Sequence, residues 1–175
     1  MMRYLFLVLA VASVMMAEGF TLKSSDIGGQ LSKMQVFDGF GCNGKNVSPQ
    51  LSWSGAPKGT KSFAVTVFDP DAPTSSGWWH WIVVNIPADI HELKAGVSGK
   101  AMPKGALEVK NDYGTIGFGG ACPPKGDKPH RYIFTVHALD VEKLPVKEDT
   151  NAPIVGFQIN AHTIAKASLI SHFGR

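Results

Sequence analysis

Trp78-Trp79-His80-Trp81-Ile82-Val83-Val84-Asn85-Ile86 and His130-Arg131-Tyr132-Ile133-Phe134-Thr135-Val136-His137-Ala138-Leu139 decide how this chain folds. Together with Ser62-Phe63-Ala64-Val65-Thr66-Val67-Phe68 they are crowded with β-branched and aromatic residues and follow a period of two, which predicts three strands. His80 and His130 each stand where such a run begins, directly after a loop dense in Pro, Gly and Asp. A strand start is where a loop-lined pocket meets a rigid sheet, so two polar rings placed there can converge on one ligand at the pocket rim. The acidic loop Asp69-Pro70-Asp71-Ala72-Pro73 lies just upstream of the first histidine.

Working outward, weaker strands are expected over Phe20–Lys23, Leu51–Trp53 and Leu107–Lys110, with turns at Gly59-Thr60 and Pro87-Ala88-Asp89. Between Asn111 and Pro129 glycine and proline are too frequent for regular structure. Ordered loops of that length are uncommon and tend to be functional. Ala152–Ile164 reads as a helix with Asn151 as N-cap and Pro153 in the first turn, weakened by Gly156; Ala167–Phe173 reads as a closing strand. The class is mainly β, without internal repeats or low-complexity segments.

At 175 residues one compact domain is the expectation. Residues 1–19 are set apart from it: Arg3 precedes an uncharged apolar stretch from Tyr4 to Met16, with small residues Ala17 and Gly19 following. The stretch is shorter than the about 20 residues of a spanning helix and has the order of a secretory signal. Cleavage near 17–19, a single domain over 20–175 and a periplasmic or secreted location are therefore expected. An exported chain can keep a disulfide. Cys42 and Cys122 are an even count in adaptable Gly-rich segments, so pairing is the leading reading, ahead of two separate buried thiols or a metal site that lacks C-x-x-C spacing. Net charge is +3, and +2 once Arg3 is removed with the signal. Lys and Arg are scattered singly, which argues against a nucleic-acid surface or a polybasic membrane patch.

Taken one at a time these features have plain explanations. A strand-start histidine is usually a hydrogen-bonded structural residue, and Asp-Pro-Asp-Ala-Pro alone is an ordinary turn. His91, His137, His162 and His172 lack the loop context and read as surface or core residues. Trp78, Trp79 and Trp81 are candidates for the pocket wall, with at least one expected inside the sheet. The combination of motifs is what shifts the balance toward a site.

Asp69-Pro70-Asp71-Ala72-Pro73, then His80-Trp81, then Pro123-Pro124-Lys125-Gly126 leading into His130-Arg131-Tyr132 resemble the signature regions of the phosphatidylethanolamine-binding proteins, the Raf-kinase-inhibitor-like family. Asn46-Val47-Ser48-Pro49-Gln50-Leu51-Ser52-Trp53 and Trp78-Trp79-His80-Trp81 are similar to its bacterial YbhB/YbcL branch, most closely the exported YbcL type. The resemblance implies a large central antiparallel sheet packed on a smaller one, a few peripheral helices, and an anion pocket at the sheet edge lined by Asp69, Pro73, His80, Pro124, His130 and Tyr132. It also implies a homodimer, which exposed strand edges would permit. Family members usually carry Gly where this chain has Cys122, so a bridge to Cys42 would pin one pocket wall. The pocket tyrosine that eukaryotic members place on a C-terminal helix has no counterpart between Ala152 and Arg175.

The chemistry of the residues points the same way. Imidazole N–H groups donate hydrogen bonds, and an ordinary pKa of about 6.5 lets a histidine become cationic when an anion arrives. Asp69 would hold one ring by accepting its other N–H. Tyr132 shares a strand face with His130 and adds a hydroxyl, while prolines form a rigid wall. The expected function is binding of a small anion, phosphate or a phosphoryl head group, by a regulatory or inhibitory module with a protein partner and no cofactor. The alternative is a metal-dependent or serine-type hydrolase using the Asp/His pocket. Ser48 and Ser75 are nucleophile candidates by composition only, with neither a G-x-S-x-G elbow nor an H-E-x-x-H pair.

Overall fold

The computed structural model describes residues 19–175; the expected signal segment, Gly19 apart, lies outside the described residues. Two antiparallel sheets form the body. The larger has the order β6-β4-β3-β7-β8, and the smaller the order β1-β2-β5. The strands are β1 (Thr21–Lys23), β2 (Leu51–Ser54), β3 (Ser62–Asp69), β4 (Trp78–Pro87), β5 (Glu92–Leu93), β6 (Leu107–Val109), β7 (His130–Leu139) and β8 (Thr163–Phe173), with one helix, α1 (Ala152–His162), between β7 and β8.

The central strands are nearly continuous apolar runs because the large sheet is covered on both faces. Phe63, Val65 and Val67 of β3, with Trp81 and Val83 of β4 and Phe134 and Val136 of β7, pack against Leu22, Leu51, Trp53 and Leu93 of the small sheet. The residues between them, Ala64, Ile82 and Val84, pack on the opposite face against Ala152, Val155 and Ile159 of α1. Side chains alternate between faces along a strand, so both halves of the alternation must be apolar here.

Two irregularities interrupt β4. Between the pairs Phe63–Ile86 and Val65–Val83 it carries one residue more than β3, and Asn85 there takes a left-handed φ of 59°. That bulge lets Ile86 rejoin the face of Trp81 and Val83. Between Val67–Trp81 and Phe68–Trp79 the extra residue is His80.

Three sequence expectations change. Among the described residues there is one helix where the resemblance implied a few. The helix ends at His162, two residues early, and β8 starts at Thr163, four residues before Ala167. β8 pairs with β7 along its length, from Leu139–Thr163 to His130–Phe173, and this ladder takes up the β-branched Thr163 and Ile164 that the helix was expected to include. Asn151 does occupy the N-cap position, but its side chain makes no capping bond; its carbonyl accepts from Ile154 and Val155 N–H.

Candidate functional site

In the antiparallel order β4-β3-β7, the end of β3 lies beside the starts of its two neighbours. Asp69 closes β3, Trp78 and His80 stand at the start of β4, and His130 opens β7 with Tyr132 two residues on. One end of the sheet therefore gathers a carboxylate, two imidazoles and a phenol. The β-bulge at His80 is what turns that side chain out of the regular ladder, a frequent use of bulges beside functional sites.

Asp69 and His130 form a buried pair. The carboxylate Oδ2 accepts from His130 Nδ1 at 2.7 Å, and Oδ1 accepts from the Asp71 backbone N–H at 2.8 Å. His130 Nε2 has one further approach, Asp127 Oδ2 at 3.4 Å. Outside the pair Asp71 grips Arg131 through Nε and Nη2 and also accepts from the Arg131 backbone N–H, and the guanidinium holds its carboxyl down at about 2.

His80 is held differently. Its Nδ1 lies 2.8 Å from the carbonyl oxygen of Gly119, and the Gly119 N–H returns a bond to the His80 carbonyl at 2.8 Å. A carbonyl only accepts, so Nδ1 carries the proton and the neutral ring presents a lone pair at Nε2. Burial pushes the imidazole down to about 4, although the Gly119 carbonyl and the Asp69 carboxylate favour the charged form. Gly119 and Gly120 make this contact possible: a Cβ on Gly119 would collide with the Tyr113 ring, and one on Gly120 with the backbone of Gln35 and Phe37.

The side chains surround a cavity of about 170 Å³, below the roughly 300 Å³ at which drug-sized pockets begin. Asp69, Pro73, His80, Pro124, His130 and Tyr132, the six residues singled out in the sequence, all line it. Sequence reasoning missed Tyr113 and Phe40. Tyr113 comes from the Asn111–Pro129 loop, stacks on Phe37 at 4.1 Å and lies 5.6 Å from the His80 ring; its hydroxyl donates to the Gly120 carbonyl. Burial, reinforced by Asp69, keeps both Tyr113 and Tyr132 protonated far beyond the usual phenol range.

The far wall is Cys122-Pro123-Pro124, faced by Phe40. Cys42 and Cys122 are joined in a disulfide with Cα atoms 5.9 Å apart, so this wall is tied to the Phe40 loop. Arg175 spans the same two segments, donating from Nε to the Pro123 carbonyl and from Nη1 to the Gly41 carbonyl. Phe40 is 70% exposed and holds a left-handed φ of 54°, an apolar ring kept at the mouth.

One expectation about the histidines needs correction. Both are buried, at 3% and 4% exposure, and so belong to the inner wall and not the rim. In the unliganded protein burial holds His80 in the neutral form with its outer nitrogen bare. Five buried side-chain atoms among the described residues lack a hydrogen-bond partner, and three of them, His80 Nε2, Tyr132 Oη and Trp78 Nε1, belong to residues lining this cavity. Such orphans are rare and call for an explanation.

The other candidates lie elsewhere. Trp81 is fully buried and donates from Nε1 to Glu108, and Trp79 packs on Phe68. His91, His137, His162 and His172 do not line the cavity, nor do Ser48 and Ser75. Among the described residues no group of three or more His, Cys, Asp and Glu side chains is placed to hold a metal ion.

A two-sheet β protein whose central strands deliver polar side chains to a small aromatic-walled cavity belongs to the class of pocket-bearing antiparallel β folds. Residues 21–174 match the family model of phosphatidylethanolamine-binding protein. Escherichia coli YbcL is 55% identical over 158 residues, covering 87% of this chain and 86% of its own. YbhB of the same organism is 51% identical over 156 residues, covering 87% and 98%. The crystal structure of Escherichia coli YbcL superposes with a TM-score of 0.88 at 53% identity, covering 90% of this chain and 99% of that one. A homologue from Chlamydia trachomatis gives a TM-score of 0.74 at 32% identity, covering 90% and 98%. The chain belongs to the phosphatidylethanolamine-binding protein family.

Proposed function

We propose that the cavity binds a small oxyanion, phosphate or a phosphoryl head group, and that the protein acts outside the cytoplasm as a regulatory or inhibitory binding module. The observation that carries this reading is the set of unpartnered buried polar atoms on Trp78, His80 and Tyr132 around one small cavity, beside the Asp69–His130 pair. Burying such atoms without partners costs about 1–3 kcal/mol each; the oxygens of a bound oxyanion would accept from the Trp78 indole N–H and the Tyr132 hydroxyl, and a hydroxyl on it would donate to His80 Nε2. The Asp69 carboxylate would keep His130 in one tautomer and orientation, with Nε2 toward the ligand in place of Asp127. The cavity volume suits a head group, and the exposed Phe40 would meet whatever bears it.

Calorimetric titration with inorganic phosphate tests this. Saturable one-site binding is expected, weakened at least about tenfold in His130→Asn, which removes the ring and keeps a hydrogen-bonding partner for Asp69. Absence of binding to inorganic phosphate and to phosphoethanolamine alike would overturn it.

A further inference from the structure

We infer that the cavity selects an oxyanion carrying its own hydroxyl, a hydrogen phosphate or a phosphate monoester monoanion, over a fully ionised oxyanion of the same size such as sulfate. This rests on the oxyanion reading and adds to it the protonation state of the ligand. Hydrogen-bond donors and acceptors on the cavity wall set this preference. His80 spends its one N–H on the Gly119 carbonyl, so its buried Nε2, without a partner, can only accept. Tyr132 Oη and Trp78 Nε1, the other two orphans, can donate. A ligand satisfying all three must offer oxygen acceptors to the phenol and indole and one O–H to the imidazole. Hydrogen phosphate has both kinds of group, whereas sulfate at neutral pH has acceptors alone and would place an oxygen lone pair against the nitrogen lone pair.

Sulfate could bind only by bringing a proton to His80. The groups facing that ring are the Asp69 carboxylate and the Gly119 and Gly120 carbonyls, which favour the charged form, and His130, which opposes it. The rings of Tyr113 and Tyr132, at 5.6 and 5.1 Å, stay uncharged phenols. Burial outweighs the favourable groups, so the imidazole stays neutral above about pH 4. Sulfate affinity should then rise about tenfold for each unit the pH falls toward that value. A phosphate monoester, whose last proton leaves near pH 6, should weaken above that pH, while inorganic phosphate keeps a hydroxyl.

The experiment is titration of the protein at pH 7.5 with inorganic phosphate, methyl phosphate and sulfate, repeated at pH 5.5, with the same series on His80→Gln. Inorganic phosphate is expected to bind at least about tenfold more tightly than sulfate at pH 7.5, and the ratio to collapse in His80→Gln, whose amide can donate. Nitrogen NMR of His80 in the unliganded wild type supplies a readout independent of the variant's folding: a pyridine-type Nε2 is expected. Sulfate binding within about threefold of phosphate at pH 7.5, or a protonated Nε2, would overturn the inference while leaving oxyanion binding intact. Failure of every anion to bind would sink both.

Discussion

Reduction of the Cys42–Cys122 bridge should cost the protein stability out of proportion to its effect on the pocket. The two cysteines are 80 residues apart in sequence, so reduction frees a long loop in the unfolded chain. The chain-entropy relation puts the loss at about 4.5 kcal/mol at 25 °C, a ceiling because residual structure in the denatured chain lowers it. For a domain of this length each kcal/mol moves the melting temperature by about 2–4 °C, giving a fall of roughly 9–18 °C. The folded pocket should feel much less, because Arg175 still ties the Pro123 and Gly41 carbonyls together. Scanning calorimetry with and without a phosphine reductant measures the first effect, and phosphate titration below the lowered melting temperature measures the second. Phosphate affinity should fall less than about threefold on reduction alone and further in reduced Arg175→Ala. Reactive thiols in the unreduced, denatured protein, or a melting temperature unmoved by reduction, would refute the reasoning.

Burial pushes both His80 and His137 down to about 4, whereas an unfolded histidine titrates near 6.5. The unfolded chain therefore binds more protons between those values, and stability must fall as pH drops from about 6.5 to about 4, by up to about 3 kcal/mol per ring. His137→Gln, which can still bond the Thr66 and Thr163 hydroxyls, should remove its share of that fall in urea unfolding at pH 7 and pH 4.5; an equal fall in the variant would contradict this. Glu108 accepts from Trp81 Nε1, Ser98 Oγ and the Gly99 N–H, so Glu108→Ala strands a buried indole N–H and should cost about 3 kcal/mol or more in urea unfolding, against a smaller loss for Glu108→Gln.

The three long strands, His80, His130 and the Asp69 loop were legible because strand periodicity and loop chemistry are local, whereas Pro73, Pro124 and Tyr132 were placed at the cavity by the family resemblance. Ser62–Phe68, Trp81–Ile86 and Tyr132–Leu139 were read almost to their ends, and the histidines at their starts fall together because antiparallel pairing places neighbouring strand ends side by side. What escaped depended on distant partners. Thr163–Lys166 became strand only because β7 offers a matching edge, and β5 is two residues whose pairing with Leu51 and Ser52 leaves no period to read. Tyr113 sits in a loop without periodicity, so its one signal was an aromatic residue amid glycines. The protonation of His80 was invisible because it is set by a carbonyl 39 residues away, at Gly119.

Tyr132→Phe tests the central claim most directly, since it removes one hydroxyl and nothing else from the cavity wall. That hydroxyl is buried without a partner, so the variant should melt at the same temperature as the wild type or higher. If the cavity holds an oxyanion, phosphate affinity should nonetheless fall by at least about tenfold. An unchanged affinity in a variant of unchanged stability would contradict the account.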